Sequence, residues 1–307
     1  MAGDDAPLRA GRRTVGRDLP GGGSAHGRAV QRRLRALRQV RRGMRLDGMQ
    51  AERLRARLRD GKPVIAGHVF LTDPEIAELL GYHGFDAVWI DAEHSAFDLN
   101  AVLAHIMACA SSGTASLVRV AWNDPVRIKP VLEMGPDGII LPMVCTAEEA
   151  RQAVRNCTYP PRGVRGFGPR RANRYGALES GEYAARCEGS LLRILQIEHR
   201  VAMENLEEIL QVEGVDLLVC GPCDLSASYG HLCDTRNPEM TPVYDRFAQL
   251  CRAAGMPFGV SLGAGDRASI RDWFGRGANF VGCGDDISYL DLGCRATFGF
   301  LRENGWA

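Results

Sequence analysis

The feature that most narrows what this chain can fold into is a count. Eight short apolar runs, at residues 64–70, 87–90, 116–120, 138–141, 191–197, 215–221, 258–262 and 280–283, are separated by stretches with apolar residues at helical spacing. The runs are too continuous to alternate between inside and outside, so each reads as a strand buried on both faces, the mark of a parallel sheet. Parallel neighbours need crossovers of a dozen residues or more. Helical segments at 74–82, 99–111, 126–134, 147–156, 201–212, 247–254, 270–276 and 286–304 supply them. Eight such units over roughly 250 residues predict an α/β fold of one kind, the closed (β/α)8 TIM barrel, rather than an open doubly wound sheet.

Ahead of the barrel the composition changes. The first 60 residues hold sixteen arginines against six acids, whereas the whole chain of 307 residues carries a net charge of only +1, so the barrel itself is acidic. Residues 1–48 are expected to be a disordered, Arg-rich extension and 49–307 the barrel domain, with Met44 and Met49 as alternative starts. The extension has no Phe, Tyr or Trp before residue 43, which argues against a nucleic-acid partner. No apolar run approaches the ~20 residues that span a bilayer and no signal-peptide pattern opens the chain, so no membrane partner and a cytoplasmic location are expected. The ten cysteines, scattered over a large chain, are expected to be reduced thiols.

In a barrel of this kind the chemistry gathers where strands end. Here strand two runs into Asp91, Glu93 and His94, strand three into Arg119, strand five into Gln196 and Glu198, and strand six into the turn Gly221-Pro222-Cys223-Asp224. Glu198 and Asp224 emerge on one edge and present two hard oxygen donors, the set that holds Mg²⁺, Mn²⁺ or Co²⁺ while leaving positions for water and substrate. His94 is expected to bond the Asp91 carboxylate three residues before it, making a proton-transfer pair. Arg119, among apolar neighbours, needs an anionic partner, either a structural acid or a substrate oxyanion. The amides of Cys223 and Asp224, at a helix start, offer a cradle for a small carboxylate. Such a set suits an enolate formed on a 2-oxo acid. Only Lys62 and Lys129 could form an imine, and neither lies at a strand end.

The runs FDAVWIDAEHSAFD, LVRVAWNDPVRIKPVLEMGPDGIILPMVCTAEEA, YPPRGVRGFGPRRANRYG, LQIE and EGVDLLVCGPCDLS occur in this order. They resemble the class II pyruvate aldolases of the HpcH/HpaI aldolase/citrate lyase family, over about residues 49–302. The resemblance implies a barrel of the phosphoenolpyruvate/pyruvate-binding type. The implied reaction is reversible, metal-dependent cleavage of a 4-hydroxy-2-oxo acid, such as 4-hydroxy-2-oxoheptanedioate or 2-dehydro-3-deoxyglucarate, to pyruvate and an aldehyde. It also implies metal binding by Glu198 and Asp224, proton transfer by His94 with Asp91, enolate stabilisation by Arg119, and a site-lining Gln196. A trimer or hexamer with helix exchange at the carboxyl end is implied as well. Three residues depart from the family pattern: His199, expected to turn away from the metal, and the cysteines Cys220 and Cys223. Cys220-Gly-Pro-Cys223 has the letters of a thiol-disulfide oxidoreductase motif, which the barrel turn already explains. A lyase for a coenzyme A thioester is the alternative within the same fold. The loop at 162–174, with five arginines, is expected to line the aldehyde pocket.

Overall fold

A computed structural model describes residues 49–307, so the expectation for 1–48 lies outside the described residues. Eight parallel strands close on themselves in sequence order: β1 (Val64–Val69), β2 (Ala87–Asp91), β3 (Ala115–Arg119), β4 (Gly138–Leu141), β5 (Leu192–Ile197), β6 (Leu217–Cys220), β7 (Phe258–Leu262) and β8 (Phe280–Asp285), with β8 returning to β1. The predicted barrel is the observed one.

The helices in chain order are α1 (Met49–Arg59), α2 (Glu75–Tyr82), α3 (Leu99–Ser112), α4 (Pro125–Glu133), α5 (Ala147–Asn156), α6 (Ser180–Arg186), α7 (Arg200–Glu204), α8 (Leu206–Ile209), α9 (Pro222–Ser228), α10 (Met240–Ala253), α11 (Arg267–Gly275) and α12 (Asp286–Glu303). Polar residues in the strand-end loops start several of them. The Asp98, Asp124 and Asp266 carboxylates accept from first-turn amides of α3, α4 and α11, and Thr146 with Glu149 forms a reciprocal capping box on α5. Helices α3, α4, α5 and α11 therefore begin just past the carboxyl edge of the sheet and carry the chain back.

Two apolar layers result. Alternate strand residues such as Ala66, Trp89, Leu117, Ile194 and Phe280 fill the barrel, while the others, including Ile90, Val118, Leu195 and Leu218, pack against the helices. Ala51, Leu54 and Leu58 of α1 join the inner layer and cover its amino end. Burial of Leu54 and Leu58 stabilises by about 1.5–3 kcal/mol each. Arg55 pins the same helix, donating to Asp216 at 2.8 Å and to the Leu191 carbonyl at 2.7 Å.

The structure departs from the expected elements in three places. The segment at 201–212 is two short helices, α7 and α8, meeting at Asn205, whose side chain donates to the Cys145 carbonyl at 2.9 Å. Helix α10 begins seven residues before the expected start, because Pro242 falls in its first turn, where no amide partner is required. Helix α6 was not anticipated; it is short and is held by Glu179, which accepts from the amides of Gly181 and Glu182. Among the described residues no helix is long and apolar enough to cross a membrane.

Candidate active site

Asp91 and Arg119 are register partners on neighbouring strands, so their side chains leave the sheet side by side into the barrel mouth. Asp91 is fully buried and Arg119 nearly so. The Oδ2 atom of Asp91 accepts from Arg119 Nε at 3.0 Å and also from Nη2, while the guanidinium lies 5.4 Å from the centre of the Trp89 ring. The other oxygen, Oδ1, accepts from the backbone amides of Glu93 and His94 at 3.0 and 2.9 Å.

That arrangement corrects one expectation. Every lone pair of Asp91 that could orient an imidazole is given to the guanidinium and to the turn, so His94 does not pair with it through its ring. The nearest carboxylate to the imidazole is Glu93, with Oε2 at 3.6 Å from His94 Nε2, and the His94 side chain is 60% exposed. Glu93 is the residue that sequence reasoning missed: the same Oε2 lies 2.7 Å from Arg119 Nη1. The available signal was a second acid at the end of β2, two residues beyond the one already assigned.

Gln196 links the two halves of the site. Its Oε1 accepts from Arg119 Nη1 at 3.3 Å and its Nε2 donates to Glu198 Oε2. Glu198, just past β5, is 2% exposed, and its Oε1 accepts from the Met143 amide at 2.8 Å. Burial is the main cause that pushes its carboxyl up to about 7; the charges of Glu93 and Asp224 add to the rise, and the Met143 amide and Arg119 oppose it. Glu93 is raised too, first by burial and then by Asp91 and Asp224, against Arg119 and His94.

Asp224 is exposed in the first turn of α9, close enough for its charge to act on both Glu93 and Glu198. Three acids thus face one another, and Arg119 already serves Asp91. Of these, Glu198 and Asp224 fit a divalent cation: the oxygens are hard, and added positive charge relieves the burial of Glu198. Among the described residues no three His, Cys, Asp or Glu side chains cluster closely enough to hold an ion, so an ion on Glu198 and Asp224 would take its other positions from water and substrate. The backbone leaves room for this. A Cβ on Gly221 would sit 2.5 Å from Glu198 Oε2 and 2.9 Å from Gln196 Nε2, so any side chain there would push these two groups aside.

The remaining residues fall outside the constellation or support it. His199 Nδ1 accepts from the Val201 amide, so the ring caps α7. His68 is inside the barrel, with Nδ1 3.0 Å from the Gly284 carbonyl and Nε2 3.1 Å from Ser261 Oγ. Cys220 is buried at the end of β6, where burial and the nearby Glu198 charge hold its thiol well above the usual range. Cys223 is exposed with its thiol also raised, chiefly by partial burial, and both are free. A redox motif needs a lowered thiol, so this turn serves the barrel instead. The loop at 162–174 joins α5 to β5 and so lies at the amino end of the strands, opposite this site. Arg171 donates there to the Met134 carbonyl at 2.8 Å, and Arg165 to Tyr183 Oη at 2.9 Å. Within one chain these arginines do not line the mouth, which corrects the second expectation.

A family model described as HpcH/HpaI aldolase/citrate lyase matches residues 68–290, a span that includes every residue of the constellation. The chain belongs to the HpcH/HpaI aldolase/citrate lyase family. It is accordingly a carbon–carbon lyase of the aldolase kind. Two similar members are named 4-hydroxy-2-oxo-heptane-1,7-dioate aldolase. The one from Shigella sonnei is 38% identical over 77% of this chain and 89% of its own. The one from Klebsiella pneumoniae is 39% identical over 80% of this chain and 92% of its own. Among solved structures, an HpcH/HpaI family protein from Burkholderia cenocepacia superposes with a TM-score of 0.78 at 29% identity, covering 82% of this chain and 99% of its own.

Proposed function

We propose that this family member is a class II aldolase that reversibly cleaves a 4-hydroxy-2-oxo acid, of which 4-hydroxy-2-oxoheptanedioate and 2-dehydro-3-deoxyglucarate are examples, into pyruvate and an aldehyde. The observation that carries the reading is the shared mouth of Arg119, Glu198, Asp224 and His94, a guanidinium, two metal-holding acids and an imidazole drawn from four strand ends. The names of the relatives support the substrate class.

Glu198 and Asp224 would hold Mg²⁺, Mn²⁺ or Co²⁺, and a divalent ion there supplies fixed positive charge that lowers the energy of an enolate. Arg119, kept in place by Asp91, adds a second positive charge on the enolate oxygen as it develops. Gln196 fixes both groups relative to each other, and the first-turn amides at Cys223 and Asp224 orient the substrate carboxylate. His94, at the open side, takes the proton of the C4 hydroxyl. The C3–C4 bonding pair then moves toward C2 as the aldehyde forms, and protonation at C3 completes pyruvate. Lys62 pairs with Asp60 ahead of β1 and Lys129 lies within α4, which leaves the mouth without an amine for an imine route.

Pyruvate release from candidate hydroxy-oxo acids, with each metal and with chelator, tests the reading; loss of turnover on chelation and its return with metal is the expected result. The variant His94→Ala is expected to bind metal as the parent does while kcat falls about 100- to 10,000-fold. Calorimetric metal titration beside the rate assay checks this, and an undiminished rate would remove His94 from proton transfer.

The chain is further proposed to work as a homo-oligomer, a trimer or hexamer. Helix α12 buries only its first residue, Asp286, and leaves Leu290 64%, Phe298 53% and Phe300 56% exposed, with Trp306 beyond it at 68%. That much exposed apolar side chain on an 18-residue helix is a surface for another copy. Light scattering is expected to give a multiple of the 33.5 kDa chain mass.

A further inference from the structure

We propose that Glu93 exchanges between Arg119 and His94, holding the guanidinium until a substrate oxygen takes that place and then moving to the imidazole. The idea rests on the aldolase reading above and extends it to a positioning residue. Arg119 faces two acids unequally. Asp91 accepts directed hydrogen bonds from Nε and Nη2 and is fixed by two backbone amides. Glu93 approaches Nη1 to 2.7 Å, yet its Oε2, shut off from solvent, has no hydrogen-bond partner of proper geometry, while one of the two Nη1 hydrogens goes to Gln196 Oε1. One partner is gripped and the other is held by charge alone. Nη1 is therefore the edge of the guanidinium that a substrate oxyanion can claim.

When that happens Glu93 loses its cation. The charged groups that face it are Arg119 from β3, Asp91 and His94 from its own turn, Asp224 from α9, and Glu198 past β5. All but Arg119 and His94 are acids. His94 Nε2, 3.6 Å away, is then the one remaining group among them with an N–H to offer. A shift of about 1 Å brings Oε2 within hydrogen-bond range of Nε2–H. Nδ1 becomes the more basic nitrogen at the moment when the C4 hydroxyl proton must leave, and the proton passes from that hydroxyl to Nδ1 with no other bond changed at the protein. Substrate occupancy thereby arms the base.

The test uses the full chain loaded with Mg²⁺ and follows the His94 ring by nitrogen NMR across pH, with and without pyruvate. In the parent protein saturating pyruvate is expected to raise the His94 titration midpoint by about one unit, the shift that a newly adjacent carboxylate produces. In Glu93→Gln, of the same size but without charge, the midpoint is expected to stay put. Turnover of the same variant should show kcat lowered about 10-fold or more and KM unchanged or lowered, because nothing now competes for Nη1. Glu93→Asp, which keeps the charge but is too short to reach both partners, should also lose the pyruvate-dependent rise. An equal rise in parent and Glu93→Gln, or no rise in a parent that cleaves substrate, overturns the exchange while leaving the aldolase reading in place. A parent that neither cleaves a hydroxy-oxo acid nor responds to pyruvate overturns both.

Discussion

Replacing Glu198 by alanine is expected to remove metal binding and turnover together, with kcat/KM down about 1,000-fold or more. A metal in such a site supplies several kcal/mol of charge stabilisation, and about 4 kcal/mol corresponds to that factor. The loss should be larger than for a residue that only orients substrate, since Asp224 alone, exposed at the start of α9, offers a single oxygen donor group. Calorimetry with Mn²⁺ and a pyruvate-release assay on the same preparation check both halves; a variant that still binds metal tightly would move the metal elsewhere. The raised carboxyl gives this prediction a pH signature. With its folded value at about 7 and an ordinary value of 4.5, Glu198 holds a proton in the metal-free fold that the unfolded chain has already released. Its contribution to stability is complete below pH 4.5 and is lost as pH rises through 7. The metal-free protein should therefore lose on the order of 3 kcal/mol across that window from this group. Metal affinity should rise over the same range as the proton is displaced. Glu198→Gln should flatten that part of the stability profile.

Arg119→Ala is expected to damage fold and function at once. Asp91 is fully buried beneath it, and taking away one partner of a buried ion pair leaves a charge without compensation, at a cost of about 3–5 kcal/mol. Activity should fall about 1,000-fold or more with the loss of positive charge at the enolate oxygen. Arg119→Lys separates the two effects. An ammonium can neutralise Asp91, so most of the stability should return, yet it cannot reproduce the Nε and Nη2 contacts to Oδ2 while also reaching Gln196. Its turnover should remain at least about 100-fold down. Urea unfolding beside steady-state kinetics reads both; a lysine variant of full activity would show that the planar fork is dispensable.

The barrel was legible because strand burial on both faces writes itself into composition, as in the runs ending at Ile90 and Ile197, and because helical spacing fills the stretches between them. The residues that reach the mouth followed from the same rule about strand ends. Which of them touch did not follow, since chain order holds no record of rotamers. Asp91 and His94 are three apart, a spacing that suits a turn, and the turn is what forms; its amides took the carboxylate oxygen that the imidazole was expected to use. The pairing of Asp91 with Arg119 is a matter of register between strands 28 residues apart. The arginines of the loop at 162–174 were misplaced for a topological reason: a segment that follows a helix and precedes a strand belongs to the far end of the barrel, whatever its charge. Helix α6 escaped notice because its sequence, SGEYAAR, buries a single side chain, Tyr183, and lacks a periodic face.

Helix α1 has a consequence for traffic through the molecule. With Ala51, Leu54 and Leu58 stoppering one end and packed side chains below Arg119, the described barrel is shut at its amino end, which leaves the carboxyl edge for substrate. In the proposed reaction the pyruvyl half lies at the bottom, against Arg119, Gln196 and Glu198, and the aldehyde half lies above it. The two products must depart in sequence, aldehyde before pyruvate, and in synthesis the ketoacid must enter first.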